Sequence, residues 1–170
     1  MEQLLTPTMP LRYVSTRLVR EPCFEDRPRL QSSEDVANFL KERLDLSLDR
    51  EVLGVICLSP MMHINLAEIC GIGTVDSAMI HVREVFKSAI TSSSVGIILF
   101  HTHPTTDRAE PSMDDIYTTK RMAEAGRMLG IQVFDHIILA GNGDWTSIKD
   151  LAGDMSLLAY CSKRGKIDDE

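Results

Sequence analysis

Apolar residues recur with helical spacing in three segments of the chain. The first segment has four apolar residues on one face: Val36, Phe39, Leu40 and Leu44. Ser33 precedes them and is a suitable N-cap, so the pattern predicts a helix from that serine onward. A second helix is predicted over 81–90. A third begins after Ser112 and ends near Leu129, where Gly130 can adopt the left-handed backbone that commonly closes a helix.

Between these helices, apolar residues form short continuous runs that are rich in β-branched side chains. Such runs predict strands that are covered on both faces. The runs are VLGVICL after Glu51, VGIILF before His101 and IQVFDHIILAG after Gly130. A more polar strand is predicted over 63–72, with a turn or bulge near Gly71, and a short strand over 145–148. Strands that alternate with helices in this order imply an α/β layered domain with a mixed sheet.

The two ends of the chain carry weaker patterns. Residues 1–31 combine an extended-looking stretch, Leu11 to Val19, with a loop rich in proline and charge, and we interpret them as an N-terminal arm. Residues 151–170 are interpreted as a tail that frays at its end. The segment between them, 32–150, is predicted to be the core domain. A chain of 170 residues is long enough for one such domain.

Composition and charge mainly exclude classes of protein. The chain has 18 basic and 25 acidic residues, and its net charge of −7 argues against autonomous binding of nucleic acid. No apolar run approaches the roughly 18 residues of a membrane helix, and the N-terminus does not resemble a signal peptide, so a cytoplasmic protein is expected. The cysteines lack paired spacing and are predicted to be buried free thiols: Cys23, Cys57, Cys70 and Cys161.

The motif that carries the most specific chemistry is His101-Thr102-His103-Pro104, at the end of a predicted strand. Residues i and i+2 of an extended segment point to the same face, so His101 and His103 can present two imidazoles to one metal ion. Ser112 and Asp115 lie three positions apart in the first turn of the next helix, and the carboxylate of Asp115 can complete the protein ligands. Two histidines, one acid and an open position are typical of a catalytic zinc site.

Glu51, at the start of another buried strand, is the candidate general base. Its carboxylate can accept a proton from a water activated by the metal and pass that proton to a leaving amine. The hydroxyl of Ser112 can donate a hydrogen bond to the oxyanion of a tetrahedral intermediate.

These residues resemble the JAMM (JAB/MPN) metalloproteases, and within them the bacterial RadC-like branch. The family pattern is a glutamate, then His-x-His-Pro, a loop and Ser-x-x-Asp, which correspond here to Glu51, His101, His103, Pro104, Ser112 and Asp115. The resemblance extends to REVLGVICL, GIGT, HVREVFKSAI, AEPS and EAGRMLGIQVFDHIIL, and so covers about residues 32–150. It implies a JAB/MPN-like, cytidine-deaminase-like fold of the α/β (α+β) class, in which helices flank a mixed, curved β-sheet. It also implies Zn2+ as cofactor and hydrolysis of peptide or isopeptide bonds in a peptide or protein substrate.

Two features differ from the RadC-like pattern or leave it ambiguous. Thr102 stands where that branch usually has asparagine, and its side chain is expected to face away from the metal. The family usually has seven residues between the second histidine and the serine, whereas this chain has eight, 104–111. A count of positions from His103 therefore favours Asp114 as the acidic ligand, and a count from Ser112 favours Asp115. We select Asp115 because the helix fixes its position relative to Ser112, and Asp114 then favours the helix dipole.

Other polar residues have simpler interpretations. His136, within an apolar strand, is expected to be a core histidine that is hydrogen-bonded to a neighbour rather than a fourth metal ligand. At most, it would contact the ligands from behind. Glu84 is expected to form exposed ion pairs with its helical neighbours Arg83 and Lys87.

Two functions from different classes remain open at this stage. The leading hypothesis is a zinc-dependent hydrolase of amide or isopeptide bonds. The alternative is a binding module that retains the site for stability or peptide docking, in a DNA-maintenance complex as the association of RadC with DNA repair suggests. The substrate is not specified by the sequence, and a homo-oligomer is compatible with it.

Overall fold

The computed structural model describes residues 28–44, 50–73 and 80–164. Its helices are α1 (Ser33–Arg43), α2 (Val82–Thr91), α3 (Met113–Leu129), α4 (Ile148–Ala152) and α5 (Leu157–Arg164). Its strands are β1 (Val52–Leu58), β2 (Ile64–Ile72), β3 (Gly96–His103), β4 (Gln132–Ala140) and β5 (Trp145–Ser147). The predicted stretch at 11–19 lies outside the described residues.

The five strands form one mixed sheet in the order β2-β1-β3-β4-β5. Only β3 and β4 pair in parallel, and α3 connects them, whereas the other neighbours are antiparallel. Helices α2, α3 and α5 share one hydrophobic core with one face of the sheet, and α1 packs against the other face. The mixed α/β architecture expected from the sequence is therefore confirmed.

The two ends of α3 fall where the sequence places them. Ser112 is the N-cap, and Gly130 closes the helix with φ of 70°. The predicted cap of α1 is wrong by one residue, because Ser32 has the extended backbone of an N-cap and its hydroxyl accepts a hydrogen bond from the backbone N–H of Asp35. The bulge near Gly71 is confirmed by a break in the β1–β2 register, which leaves Cys70 without a directly opposed partner.

The segment interpreted as a tail contains a helix that packs on the core. Helix α5 contacts α3, and it buries Leu157, Tyr160 and Cys161. Within the predicted tail, residues 157–164 form a helix because these apolar side chains complete the core, and residues 165–170, at its predicted frayed end, lie outside the described residues. The boundaries of arm, domain and tail stay a prediction.

The described cysteines are free thiols, as expected, although only Cys57 and Cys161 are fully buried and Cys70 is half-buried. Burial raises the pKa of Cys57 to about 12. In the described ranges no helix is long and apolar enough to cross a membrane.

Candidate metal centre

The antiparallel pairing of β1 with β3 places Glu51 beside the two histidines. Leu53 pairs with His101, so the start of β1 lies against the end of β3. Thr102 strengthens this junction, because its Oγ1 accepts a 2.8 Å hydrogen bond from the backbone N–H of Val52. The side chain between the histidines therefore holds the strand that delivers Glu51, a role that the sequence analysis missed.

The imidazoles of His101 and His103 are in contact at the strand end. Their ring centroids lie 4.8 Å apart in an edge-to-face arrangement. Glu51 Oε2 is 3.5 Å from His101 Nε2, which is too long for a good hydrogen bond. His101 Nε2 is in fact buried without a hydrogen-bond partner. Glu51, His101 and His103 each offer one ligand atom, and these atoms lie within 4.8 Å of one another.

Asp115 reaches the histidines from the first turn of α3, whereas Asp114 is exposed to solvent. Asp115 Oδ1 is 2.6 Å from His101 Nδ1, and Oδ2 is 3.4 Å from His103 Nε2. A carboxylate accepts, so His101 Nδ1 carries the proton and Nε2 has a lone pair when the ring is neutral. The structure thus brings Glu51, His101, His103 and Asp115 together, with Asp115 against Nδ1 of His101 and Glu51 against its Nε2.

Strong coupling between His101 and Asp115 shifts the pKa of both groups. Burial opposes the charged form of each, but their mutual hydrogen bond and attraction outweigh it. The pKa of His101 is raised, with a contribution from the charge of Glu51. The pKa of Asp115 is held far below its usual range, and hydrogen bonds from His103 and Ser112 add to this effect. Asp115 is consequently ionised at any physiological pH.

The hydroxyl of Ser112 is engaged with Asp115 rather than directed into open space. Ser112 Oγ accepts a hydrogen bond from the backbone N–H of Asp115 at 3.1 Å and donates one to its Oδ2 at 2.6 Å. The backbone N–H of Ser112 also donates to Oδ2, at 2.8 Å. A hydroxyl has only one proton, so Ser112 would have to release Asp115 before it could donate to an oxyanion.

His136 and Thr119 form a buried polar pair behind the site. His136 Nδ1 is 2.6 Å from Thr119 Oγ1, and the His136 ring is nearly parallel to that of His101, with centroids 6.3 Å apart. The expectation of a core histidine bonded to a neighbour is confirmed. Thr119 had no distinguishing signal in the sequence, because a threonine on a helix is usually a surface residue. Glu84 forms the expected exposed ion pairs with Arg83 and Lys87.

An open cleft of about 540 Å³ adjoins the site beside His103, and Thr106, Asp107, Arg108 and Glu110 line it. The loop that forms the cleft is held by Asn142, whose side-chain amide donates to the backbone carbonyl of Asp107 at 2.9 Å. Gly141 supports the same loop, since a Cβ at that position would lie 2.6 Å from the carbonyl oxygen of Pro104. The cleft therefore opens onto His103.

The donor set at this strand end fits a zinc ion. Two imidazoles and a carboxylate are the ligands that zinc takes in catalytic sites, and His101 Nε2 is a buried nitrogen whose lone pair the protein leaves unused. Asp115 is bonded to Nδ1 of His101 and so lies outside the compact group of ligand atoms that Glu51, His101 and His103 form. Fold and site together define a layered α/β domain with a candidate metal centre at the end of a central strand.

The chain belongs to the family of the RadC-like JAB domain, whose model matches residues 30–153. It is 39% identical over 124 residues to a UPF0758 protein of Desulfitobacterium hafniense, an alignment that covers 73% of this chain and 53% of the relative. It is 43% identical over 119 residues to a UPF0758 protein of Caldanaerobacter subterraneus, with 70% and 50% covered. The chain spans about half the length of the curated relatives it matches.

Proposed function

We propose that the protein is a zinc-dependent hydrolase of amide or isopeptide bonds in peptides or proteins. The observation that carries the proposal is the cluster at the end of β3, where a buried imidazole nitrogen without a hydrogen-bond partner faces further metal-ligating side chains. His101, His103 and Asp115 would hold the ion, and because Asp115 lies against Nδ1 of His101, metal binding would have to replace this hydrogen bond. Bound zinc would supply Lewis acidity, which lowers the pKa of a coordinated water to about 7.

Glu51 is the proposed general base. Its carboxylate lies on the Nε2 side of His101, at the mouth of the site, and is only partly exposed. From there it can accept a proton from water and deliver that proton to the departing amine. The cleft beside His103 would bind the chain on one side of the scissile bond, and Ser112 would donate to the oxyanion after its hydroxyl turns from Asp115.

Substitution of Glu51 separates chemistry from metal binding. Glu51→Gln keeps the shape of the side chain but cannot accept a proton, so we expect zinc to be retained and turnover to fall about 10²–10⁴-fold. Turnover is measured on a library of peptides and isopeptide-linked conjugates, and zinc by mass spectrometry of the purified protein. Full activity in this variant would contradict the mechanism.

A matched pair of aspartates tests the ligand set. Asp115→Asn is expected to lose zinc, whereas Asp114→Asn is expected to keep it, because only Asp115 is buried against the histidines. The compact group of Glu51, His101 and His103 offers a different set of ligands. Loss of zinc in Glu51→Gln together with retention in Asp115→Asn would favour that set and exclude the proposed one.

The second candidate is a binding module without turnover, and the engagement of Ser112 with Asp115 is the observation that favours it. Such a module would keep the metal for stability or peptide docking, within a larger assembly that acts in DNA maintenance. A zinc-loaded protein that is inert on the whole library would support it. Tight, salt-dependent binding of DNA by the isolated chain would contradict our expectation that its net charge of −7 excludes autonomous DNA binding.

A further inference from the structure

We infer that Thr119 and His136 are positioning residues that hold Asp115 against the two histidines. The inference rests on the proposed function, since it assigns a task at the same metal centre. It starts from a chain of two short hydrogen bonds: His136 Nδ1 lies 2.6 Å from Thr119 Oγ1, which lies 2.6 Å from the backbone carbonyl oxygen of Asp115.

The protons in this chain can be assigned from the chemistry of its members. A carbonyl oxygen only accepts, so the single hydroxyl proton of Thr119 is directed at Asp115. The contact between Thr119 Oγ1 and His136 Nδ1 then requires that the imidazole supply the proton. His136 is therefore the Nδ1–H tautomer, and the hydrogen bonds run in one direction, from the imidazole through the hydroxyl to the main chain of Asp115.

The chain of hydrogen bonds connects the two elements on which the metal centre depends. His136 lies on β4, which pairs with the strand that carries the metal-binding histidines: Leu99 is opposite His136, and His101 is opposite Ile138. Thr119 and Asp115 are one helical turn apart on α3. Asp115 is thus fixed at two points, by its carboxylate on His101 and by its main chain on the neighbouring strand.

Thr119 and His136 are buried, which indicates that their polar groups serve a specific function. Thr119 and His136 are both 0% exposed, within the core that α3 shares with the sheet. Burial lowers the pKa of His136 to about 3, so the ring stays neutral at physiological pH. Apolar side chains of similar volume would fill the same space without the cost of burying polar groups. They would not, however, form the hydrogen bond between α3 and β4 that fixes the distance of the helix from the sheet.

Thr119→Val and Thr119→Ser form a matched pair for the test. Valine keeps the volume and removes the hydroxyl, whereas serine keeps the hydroxyl. We expect zinc affinity, measured by competition with a chromophoric chelator, to fall about 10–100-fold in Thr119→Val and to stay near the wild-type value in Thr119→Ser. His136→Asn, whose amide can replace the Nδ1–H donor, is expected to bind zinc more tightly than His136→Leu.

A control variant separates positioning from general loss of stability. Ser92 is a buried serine at the end of α2 whose hydroxyl donates to the backbone of Ser88. Ser92→Ala is expected to lower the melting temperature without a change in zinc affinity per folded molecule. If Thr119→Val behaves in the same way as Ser92→Ala, Thr119 is merely structural and the inference is wrong.

The tautomer of His136 can be measured without metal, by long-range 1H–15N NMR of the zinc-free wild-type protein. The inference requires a proton on Nδ1 and none on Nε2 at neutral pH, and a proton on Nε2 alone would overturn it. Failure of the wild-type protein to bind zinc would contradict the proposed function instead, and the tautomer would then decide whether the hydrogen-bonded chain exists.

Discussion

At the scale of single residues, the site is organised around one carboxylate. Asp115 accepts hydrogen bonds from His101, from the backbone N–H and hydroxyl of Ser112, and lies within 3.4 Å of His103 Nε2. Its own backbone carbonyl accepts from Thr119. These contacts fix the imidazole of His101 with its Nε2 free for a ligand, whereas the carboxylate of Asp115 would have to exchange its present hydrogen bonds for the metal.

The side chains that meet at the site could be proposed from sequence because their spacing follows strand and helix periods. His101 and His103 share a face of a strand, and Ser112 and Asp115 share a helical turn. The supporting residues could not be found in this way. Thr102 acts through a cross-strand contact to Val52, and Thr119 through a contact to β4, and both depend on which elements become neighbours.

Asp135 gives a pH dependence that is independent of the metal centre, on the face of the sheet opposite α3. Burial raises the pKa of this carboxyl, and hydrogen bonds from Ser147 and from the backbone N–H groups of Lys149 and His136 offset the shift only in part. A raised folded pKa means that the folded state disfavours the ionised form. The contribution of Asp135 to stability therefore decreases as the pH rises from the unfolded pKa of 3.8 through the folded value.

Asp135→Asn removes this titration while it keeps an acceptor for the backbone N–H groups. The stability of the variant relative to the wild type is expected to be more favourable at pH 7 than at pH 4. Urea unfolding of both proteins at the two pH values measures the difference. A difference that stays constant, or that changes in the opposite direction, would show that the ionised form of Asp135 is not penalised in the folded state.

At the scale of elements, the sequence predicted the long segments better than the short ones. Helix α3 and strands β1, β3 and β4 combine clear periods or apolar runs with recognisable end signals, and their structure matches the prediction closely. Helices α4 and α5 have only 5 and 8 residues, which is too short for a helical period to repeat, so periodicity gave no signal for them. Both pack on the core: α4 buries Ile148 and Ala152, and α5 buries Leu157 and Cys161.

The packing of α5 predicts that the end of the chain stabilises the domain. Leu157 is 5% exposed within the main core, so Leu157→Ala is expected to reduce the free energy of unfolding by about 2–5 kcal/mol. Leu151→Ala is a matched control, because Leu151 is 49% exposed and its truncation should change stability by less than about 0.5 kcal/mol. Equal unfolding midpoints for these two variants would contradict the packing of α5 on the core.

At the scale of the whole molecule, the chain provides a domain with one candidate metal centre among its described residues. The centre lies at the end of the central strand β3, and the cleft beside His103 adjoins it.

Part of the net charge of −7 belongs to this centre. Glu51 and Asp115 contribute two of the 25 acidic residues, and a divalent cation bound between the histidines would offset their charge. The local acidity is thus compatible with a resident metal.

The measurement that tests the account most directly is the zinc content of the folded chain. The purified protein is stripped with a chelator, reloaded with zinc, dialysed against metal-free buffer and analysed by mass spectrometry, in parallel with His101→Ala and His103→Ala. We predict one zinc ion per chain in the wild type and none in either variant, with circular dichroism confirming that all three are folded. A folded wild-type chain without zinc, or variants that retain a full equivalent, would contradict the metal centre.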